Sequence, residues 1–239
     1  MTEPTSLSPP TSPASREAAE TAAPASWTGA KGTPTRLILL RHGQTELSVH
    51  RRYSGRGNPP LTETGLRQAA AAADRLAGPA GLGDIAAVLT SPLGRARQTA
   101  DAVGKAIGVQ VVELDDLTET DFGEWEGLTF TEALERDPEL HRNWLADSSV
   151  CTPGGESFDQ VLERVSRAKD RILADHGGTT VVVVSHVTPI KTLLRIGLDA
   201  GPSLLFRLHL DLASLSVVEF YPDGNASVRL VNDTAHLTD

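Results

Sequence analysis

From Arg36 onward, short all-apolar runs alternate with segments whose apolar residues recur at helical spacing, and few folds can use that alternation. Leu37 to Leu40 has no polar side chain, so as a strand it has to be covered on both faces. Ile85 to Thr90 reads as a second buried strand, Val109 to Leu114 as a third, and Thr179 to Val184 as the central one. The intervening segments read as helices. Thr62 is placed to cap a helix over residues 65–76 that ends at Gly78 and Pro79. Ser91-Pro92 reads as an N-cap followed by proline in the first turn, ahead of Leu93, Ala96, Ala100, Val103 and Ile107, with Gly108 as the stop. Short helices are expected within 129–146. Ser157 is expected to cap a helix with the stripe Phe158, Val161, Leu162, Val165 and Ile172, and another helix is expected over 188–198. The C-terminus reads as a hairpin, 214–221 and 226–231, turning at Pro222-Asp223-Gly224. The fold class is therefore α/β, a mostly parallel central sheet sandwiched by helices.

The first 35 residues follow different rules. They hold six of the fifteen prolines in a background of Ala, Ser and Thr. So little apolar area cannot offset the entropy of ordering, and residues 1–35 are expected to be a disordered tail or linker ahead of one domain over 36–239. Trp27 is their one aromatic residue.

Twenty-two Lys and Arg against 31 Asp and Glu leave a net charge of −9, the opposite of what a nucleic-acid binder needs. Val181 to Val184 is far too short to span a bilayer, and MTEPTSLSPP lacks the basic and apolar regions of a secretory leader. One cysteine, Cys151, excludes an internal disulfide framework and a thiolate zinc cluster. A soluble, cytoplasmic enzyme is the expectation.

Three of the expected strands run straight into polar residues: Arg41-His42-Gly43, then Ser91 and the helix bearing Arg95, then Ser185-His186. Ligands of open α/β sheets bind at the carboxyl ends of the strands, so two arginines and two histidines can converge on one pocket. Without a thiol or a metal motif, that set suits a doubly charged oxyanion, with phosphate the obvious candidate. Guanidinium forks bind phosphate through paired, charge-assisted hydrogen bonds, and a neutral imidazole held in one tautomer can attack phosphorus. A glycine after the first histidine lets backbone approach and a carbonyl fix the ring. A proton for the leaving oxygen could come from the acidic loop carrying Glu119, Asp121, Glu124 and Glu126. His50, His141, His176, His209 and His236 have no partner at metal-ligand spacing and read as surface or packing residues, and Arg67 and Arg97 as solvated. Trp125, Phe130, Leu134 and Trp144 read as packing, with some of them able to wall the leaving-group side.

The runs Leu37-Ile38-Leu39-Leu40-Arg41-His42-Gly43-Gln44-Thr45, Pro60-Leu61-Thr62-x-x-Gly65, Ser91-Pro92-Leu93-x-Arg95-x-x-x-Thr99, Leu117-x-Glu119-x-x-x-Gly123-x-x-x-Gly127 and Ser185-His186 resemble the histidine phosphatase superfamily, also called phosphoglycerate mutase-like. The resemblance covers about residues 36–220. It implies that His42 accepts the phosphoryl group, that Arg41, Arg95 and His186 hold it, and that Glu119 is the acid and base. Arg52 matches a further pocket arginine. Gln44 and Ser48 stand where many members have Glu and Asn, and are expected to touch substrate. Asn58 and Val187 replace a usual Asp and Gly. No metal or other cofactor is expected, since side chains supply the positive charge. A closer likeness is to the acid phosphatase domain of actinobacterial proteins whose N-terminal half is a ribonuclease H, and the Pro/Ala-rich tail resembles the linker between such halves.

The resemblance thus implies an acid phosphatase acting on a small phosphorylated metabolite. An α-ribazole phosphatase shares the same core. A phosphoglycerate mutase would have Arg-His-Tyr-Gly after the acid, where this chain has Thr120-Asp121-Phe122-Gly123. A non-catalytic phosphate-binding module would lack a nucleophile or an acid, and both are present.

Overall fold

The computed structural model describes residues 29–78 and 83–237. Trp27, Pro79 and most of the expected tail lie outside the described residues. The strands are β1 (Thr35–Arg41), β2 (Ile85–Thr90), β3 (Val111–Glu113), β4 (Thr180–Ser185), β5 (Leu215–Phe220) and β6 (Ala226–Asp233). They form one sheet in the order β3-β2-β4-β1-β5-β6. β3, β2, β4 and β1 run parallel, while β5 and β6 are antiparallel additions at one side. The helices are α1 (Glu46–Val49), α2 (Glu63–Ala77), α3 (Gly94–Ile107), α4 (Phe130–Arg136), α5 (Pro138–Ala146), α6 (Phe158–Asp175), α7 (Val187–Gly197) and α8 (Leu204–Arg207).

Alternation along the strands divides the core between the two faces. Leu37, Leu39, Val181 and Val183 pack with Val161, Val165 and Ile172 of α6 and with Ile190, Leu193 and Leu194 of α7. Ile38, Leu40, Val182 and Val184 pack with Ala72 and Leu76 of α2 and with Ala96, Ala100 and Val103 of α3. Each Val, Leu or Ile among these contributes about 1.5–3 kcal/mol by leaving water, which is why the strands carry no polar face. A third cluster, Tyr53, Phe122, Trp125, Ala133, Trp144, Phe158 and Leu205, packs apart from the sheet.

The helix signals translate locally. Thr62 accepts from the Gly65 amide, Ser157 and Gln160 form a reciprocal capping box, and Gly108 closes α3 at φ 74°. One start differs from the reading of the sequence. Ser91 does not cap α3, which begins at Gly94 with Leu93 at its N-cap. The Ser91 amide instead donates to Val184 O, continuing the β2–β4 ladder, and this carries the serine into the interior. The third strand is shorter than expected because Val109 still donates to Gly104 O at the end of α3. At the N-terminal boundary, Thr35 is already in β1 and buried, and its hydroxyl accepts from the Gly178 amide.

Candidate active site

β1, β2 and β4 are neighbours, so their carboxyl ends deliver His42, Ser91 and His186 side by side. The ladder continues one residue past the strands, with the His42 amide on Ser185 O at 3.0 Å. The two imidazoles lie 5.0 Å apart, centroid to centroid, and both are buried.

His42 Nδ1 lies 2.8 Å from the carbonyl oxygen of Gly43. A carbonyl can only accept, so Nδ1 carries the proton and Nε2 presents its lone pair. The glycine is required by backbone contact: a Cβ at Gly43 would lie 2.5 Å from Gly65 O, and one at Gly65 would lie 2.2 Å from Gln44 O. Arg95 Nε stands 3.3 Å from His42 Nε2. Burial, then Arg95 and Arg41, hold His42 well below the usual imidazole value. Its ring is therefore neutral at pH 7.

Arg95 is fully buried on the first turn of α3. It donates to the carbonyls of Gly57, Ser54 and Gly55. That loop is itself tied down by Glu126, whose carboxylate accepts from the amides of Gly55 and Gly57. Arg41 donates to Leu210 O, and its Nε is buried without a partner. Burial lowers Arg41 to about 10. Among the described residues, both guanidiniums lean on carbonyls and neither bonds a carboxylate. Two desolvated cations in this state favour an anion.

His186 Nε2 lies 2.8 Å from the Ser91 hydroxyl, whose oxygen also accepts from the Leu93 amide at 3.3 Å. The His186 Nδ1 is buried and has no hydrogen-bond partner in the protein. Burial and Arg95 hold this ring neutral as well.

Glu119 reaches the same cavity from the loop after β3. Its carboxylate accepts from the amides of Thr120 at 2.8 Å and Thr188 at 3.4 Å, the second lying at the start of α7. Arg164 of α6 donates to the Asp116 and Thr118 carbonyls and pairs with Glu156, and Glu156 accepts from the Asp121 amide. This clamp holds the chain immediately before and after Glu119. The other three carboxylates of the acidic loop do not line the cavity.

The cavity has a volume of about 750 Å³, with Arg41, His42 and Glu119 at its inner end and Tyr53, Phe122, Phe130, Trp144, Phe158 and Phe206 among its walls. Arg95 and His186 are fully buried and are not among the residues that line the cavity. Arg52 lines the cavity, yet its guanidinium donates to Gly127 O and Glu132, which anchors the start of α4. Ser48 also lines it, its hydroxyl engaged with Thr45 in the capping box of α1. Gln44, expected at the substrate, is not among the residues that line the cavity, and its side-chain oxygen accepts from the Thr62 hydroxyl at 2.8 Å. Ser91, Glu126, Glu156 and Arg164 were not singled out for these roles in the sequence. Lys191 was also passed over, although it lies three residues after Thr188 on one helix face and lines the cavity. Among the described residues, no group of three or more His, Cys, Asp or Glu is placed to hold a metal ion. No helix among them is long and apolar enough to cross a membrane.

An α/β sheet whose strand ends gather two neutral imidazoles, two buried guanidiniums and a carboxylate defines a phosphoryl-handling protein. Residues 37–234 match the family model of the histidine phosphatase superfamily (branch 1), and the chain belongs to that family. It is 64% identical over 225 residues to the bifunctional protein Rv2228c of Mycobacterium tuberculosis, covering 94% of this chain and 61% of that protein. The chain thus spans about three-fifths of that relative. Phosphoserine phosphatase 1 of Hydrogenobacter thermophilus is 33% identical over 84% of this chain and 94% of its own. Among solved structures, Bacillus stearothermophilus YhfR superposes with a TM-score of 0.76 at 31% identity, over 84% of this chain and 98% of its own.

Proposed function

We propose that this domain is a phosphomonoesterase, an acid phosphatase, that works through a phosphohistidine on small phosphorylated metabolites. The observation that carries the reading is the state of His42: Nδ1 is tied to Gly43 O, and the Nε2 lone pair accepts from Arg95 Nε at 3.3 Å. In the first step Nε2 attacks phosphorus and the P–O ester bond breaks. Glu119, as the acid, gives its proton to the departing oxygen. Arg41, Arg95 and His186 offset the charge on the phosphoryl oxygens, and Arg52 joins them by leaving Glu132. In the second step water attacks phospho-His42, Glu119 takes the water proton, the N–P bond breaks and phosphate leaves. The low pKa of His42 supports activity on the acid side of neutrality, because the nucleophile stays unprotonated there. We also propose that the chain corresponds to the phosphatase part of a ribonuclease H/acid phosphatase protein. The 64% identity to a protein called bifunctional, of which it spans 61%, supports this.

The test is hydrolysis of p-nitrophenyl phosphate in EDTA, with an alkaline detergent quench during turnover. Release of nitrophenolate together with an acid-labile, base-stable phosphoenzyme on residue 42 is expected. Turnover lost to EDTA, or a phosphoenzyme on another residue, overturns the reading.

A further inference from the structure

Among the described residues, the Arg41 guanidinium has one hydrogen-bond acceptor, Leu210 O at 2.6 Å. Where that carbonyl stands therefore decides where the guanidinium stands. Leu210 lies just before a four-residue turn, Asp211–Ser214, which the Ser214 amide closes on Asp211 O. The turn meets the end of β1 twice more, since the Arg41 amide donates to Ser214 O and the Ala213 amide to His42 O. One short segment thus touches both residues at the inner end of the cavity.

That turn is strained. Ala213 is fully buried at φ 54°, a left-handed conformation that favours glycine. A residue held there persists only where its surroundings fix it. The fixing groups come from the far end of β6. The β5–β6 pairing shifts register between Leu215 and Val217, and nearby Asn232 takes φ 57°, which asparagine tolerates better than most residues. Its side chain grips Asp211 at two points: Oδ1 accepts from the Asp211 amide at 2.6 Å, and Nδ2 donates to the Asp211 carboxylate at 2.8 Å. His236 Nε2 lies 3.0 Å from Ala213 O, and because a carbonyl only accepts, Nε2 carries the proton and donates. Shaping the hairpin requires neither contact, since glycine would supply the positive φ.

We propose that Asn232 and His236 are positioning residues for Arg41, a clasp from the C-terminal end of β6 that sets the guanidinium through the Asp211–Ser214 turn. What Arg41 binds rests on the phosphomonoesterase reading above; where it is held does not. Asn232→Gly keeps the left-handed backbone and loses only the side-chain grip. It should raise the Kd for inorganic phosphate, measured by calorimetry, and lower kcat/KM for p-nitrophenyl phosphate, each about tenfold, because a displaced binding group costs both. His236→Phe keeps a ring and loses the donor, and should cost about threefold on the same two measurements. Melting temperatures would show that each variant is folded. In an Arg41→Ala background, Asn232→Gly should change phosphate binding less than about twofold, since residues that act through one another are not additive. Equal losses in both backgrounds would mean a merely structural role and overturn the proposal. The crystal structure of Asn232→Gly is a second readout that needs no substrate. Arg41 Nη1 should have left Leu210 O, and an unchanged contact also overturns the proposal. A displaced Arg41 in a protein whose wild type neither binds phosphate nor hydrolyses the ester overturns the phosphatase reading and leaves the clasp standing.

Discussion

Arg95 Nε lies 3.3 Å from His42 Nε2, a cation set against the ring nitrogen that carries the lone pair. The contact keeps the imidazole unprotonated, since adding a proton would put two positive charges together in a buried site. It also leaves the guanidinium beside any phosphoryl group that reaches that nitrogen. Activation and charge neutralisation therefore come from one side chain, and its carbonyl partners at residues 54, 55 and 57 keep it there.

In the proposed cycle His42 is the nucleophile, so His42→Ala should abolish turnover of p-nitrophenyl phosphate and the acid-labile phosphoenzyme with it. The melting temperature should change by only a few degrees. Retention of a tenth of wild-type activity would refute covalent catalysis through this residue.

Glu119→Gln keeps the shape of the side chain and removes its proton. With an alkyl phosphate the loss should be on the order of 10²–10⁴-fold. In the phosphorylation step with p-nitrophenyl phosphate it should be far smaller, because nitrophenolate departs unprotonated. Single-turnover rates for the two substrates provide the check, and equal losses would move the proton donor elsewhere on the acidic loop.

Arg164 acts on Glu119 only through the backbone, donating to Thr118 O at 2.5 Å and pairing with Glu156. Arg164→Lys keeps the charge and loses the fork. The expected result is a fall of about tenfold in kcat for an alkyl phosphate, since a misplaced acid costs rate. The fall should be smaller for p-nitrophenyl phosphate, with KM little altered. Equal losses on both substrates would assign Arg164 to general stability alone.

Acid should destabilise the fold through its buried imidazoles. Burial first, and then the arginines, hold His42 and His186 below 6.5, and burial does the same to His141. The unfolded chain then takes up protons first as the pH drops. Stability is full above about 6.5 and drains below it, toward the depressed folded values. Melting temperature should fall between pH 6.5 and 5, and His42→Asn with His186→Asn should flatten that slope. Inorganic phosphate should raise it most at the acid end, because a bound anion favours the protonated rings. A melting temperature indifferent to pH across this range would contradict the buried neutral imidazoles.

Gly43→Ala would force a Cβ to within 2.5 Å of Gly65 O unless backbone moves. Overpacking of this kind costs about 1–3 kcal/mol, and here the shift also displaces the carbonyl that fixes the His42 tautomer. Both stability and kcat should drop, measured by denaturant unfolding and steady-state kinetics. Normal activity in this variant would show that the carbonyl contact is dispensable.

Much of this was legible along the chain because its causes are local. Strands covered on both faces cannot hold polar residues, so Leu37–Leu40 and Val181–Val184 declared themselves, and what followed them had to emerge at the strand ends. Caps work over three residues, so Thr62 and Ser157 could be assigned from spacing. The family motifs placed His42, Arg41, Arg95, His186 and Glu119 at one end of the sheet for the same reason.

Partners distant along the chain were not legible. Ser91 looked like a cap because it precedes a proline, yet the β2–β4 register buries it against His186, 95 residues away. The Gln44 side-chain oxygen accepts from the Thr62 hydroxyl, 18 residues away, a partner that no local pattern announces. Arg52 spends its guanidinium on Glu132, and Arg164 reaches back 46 residues to brace the acidic loop. Hydrophobic period and capping act within a few residues, so they specify elements and what stands at their ends. Which donor meets which acceptor depends on register and on the paths of loops, and those exist only once the sheet has closed.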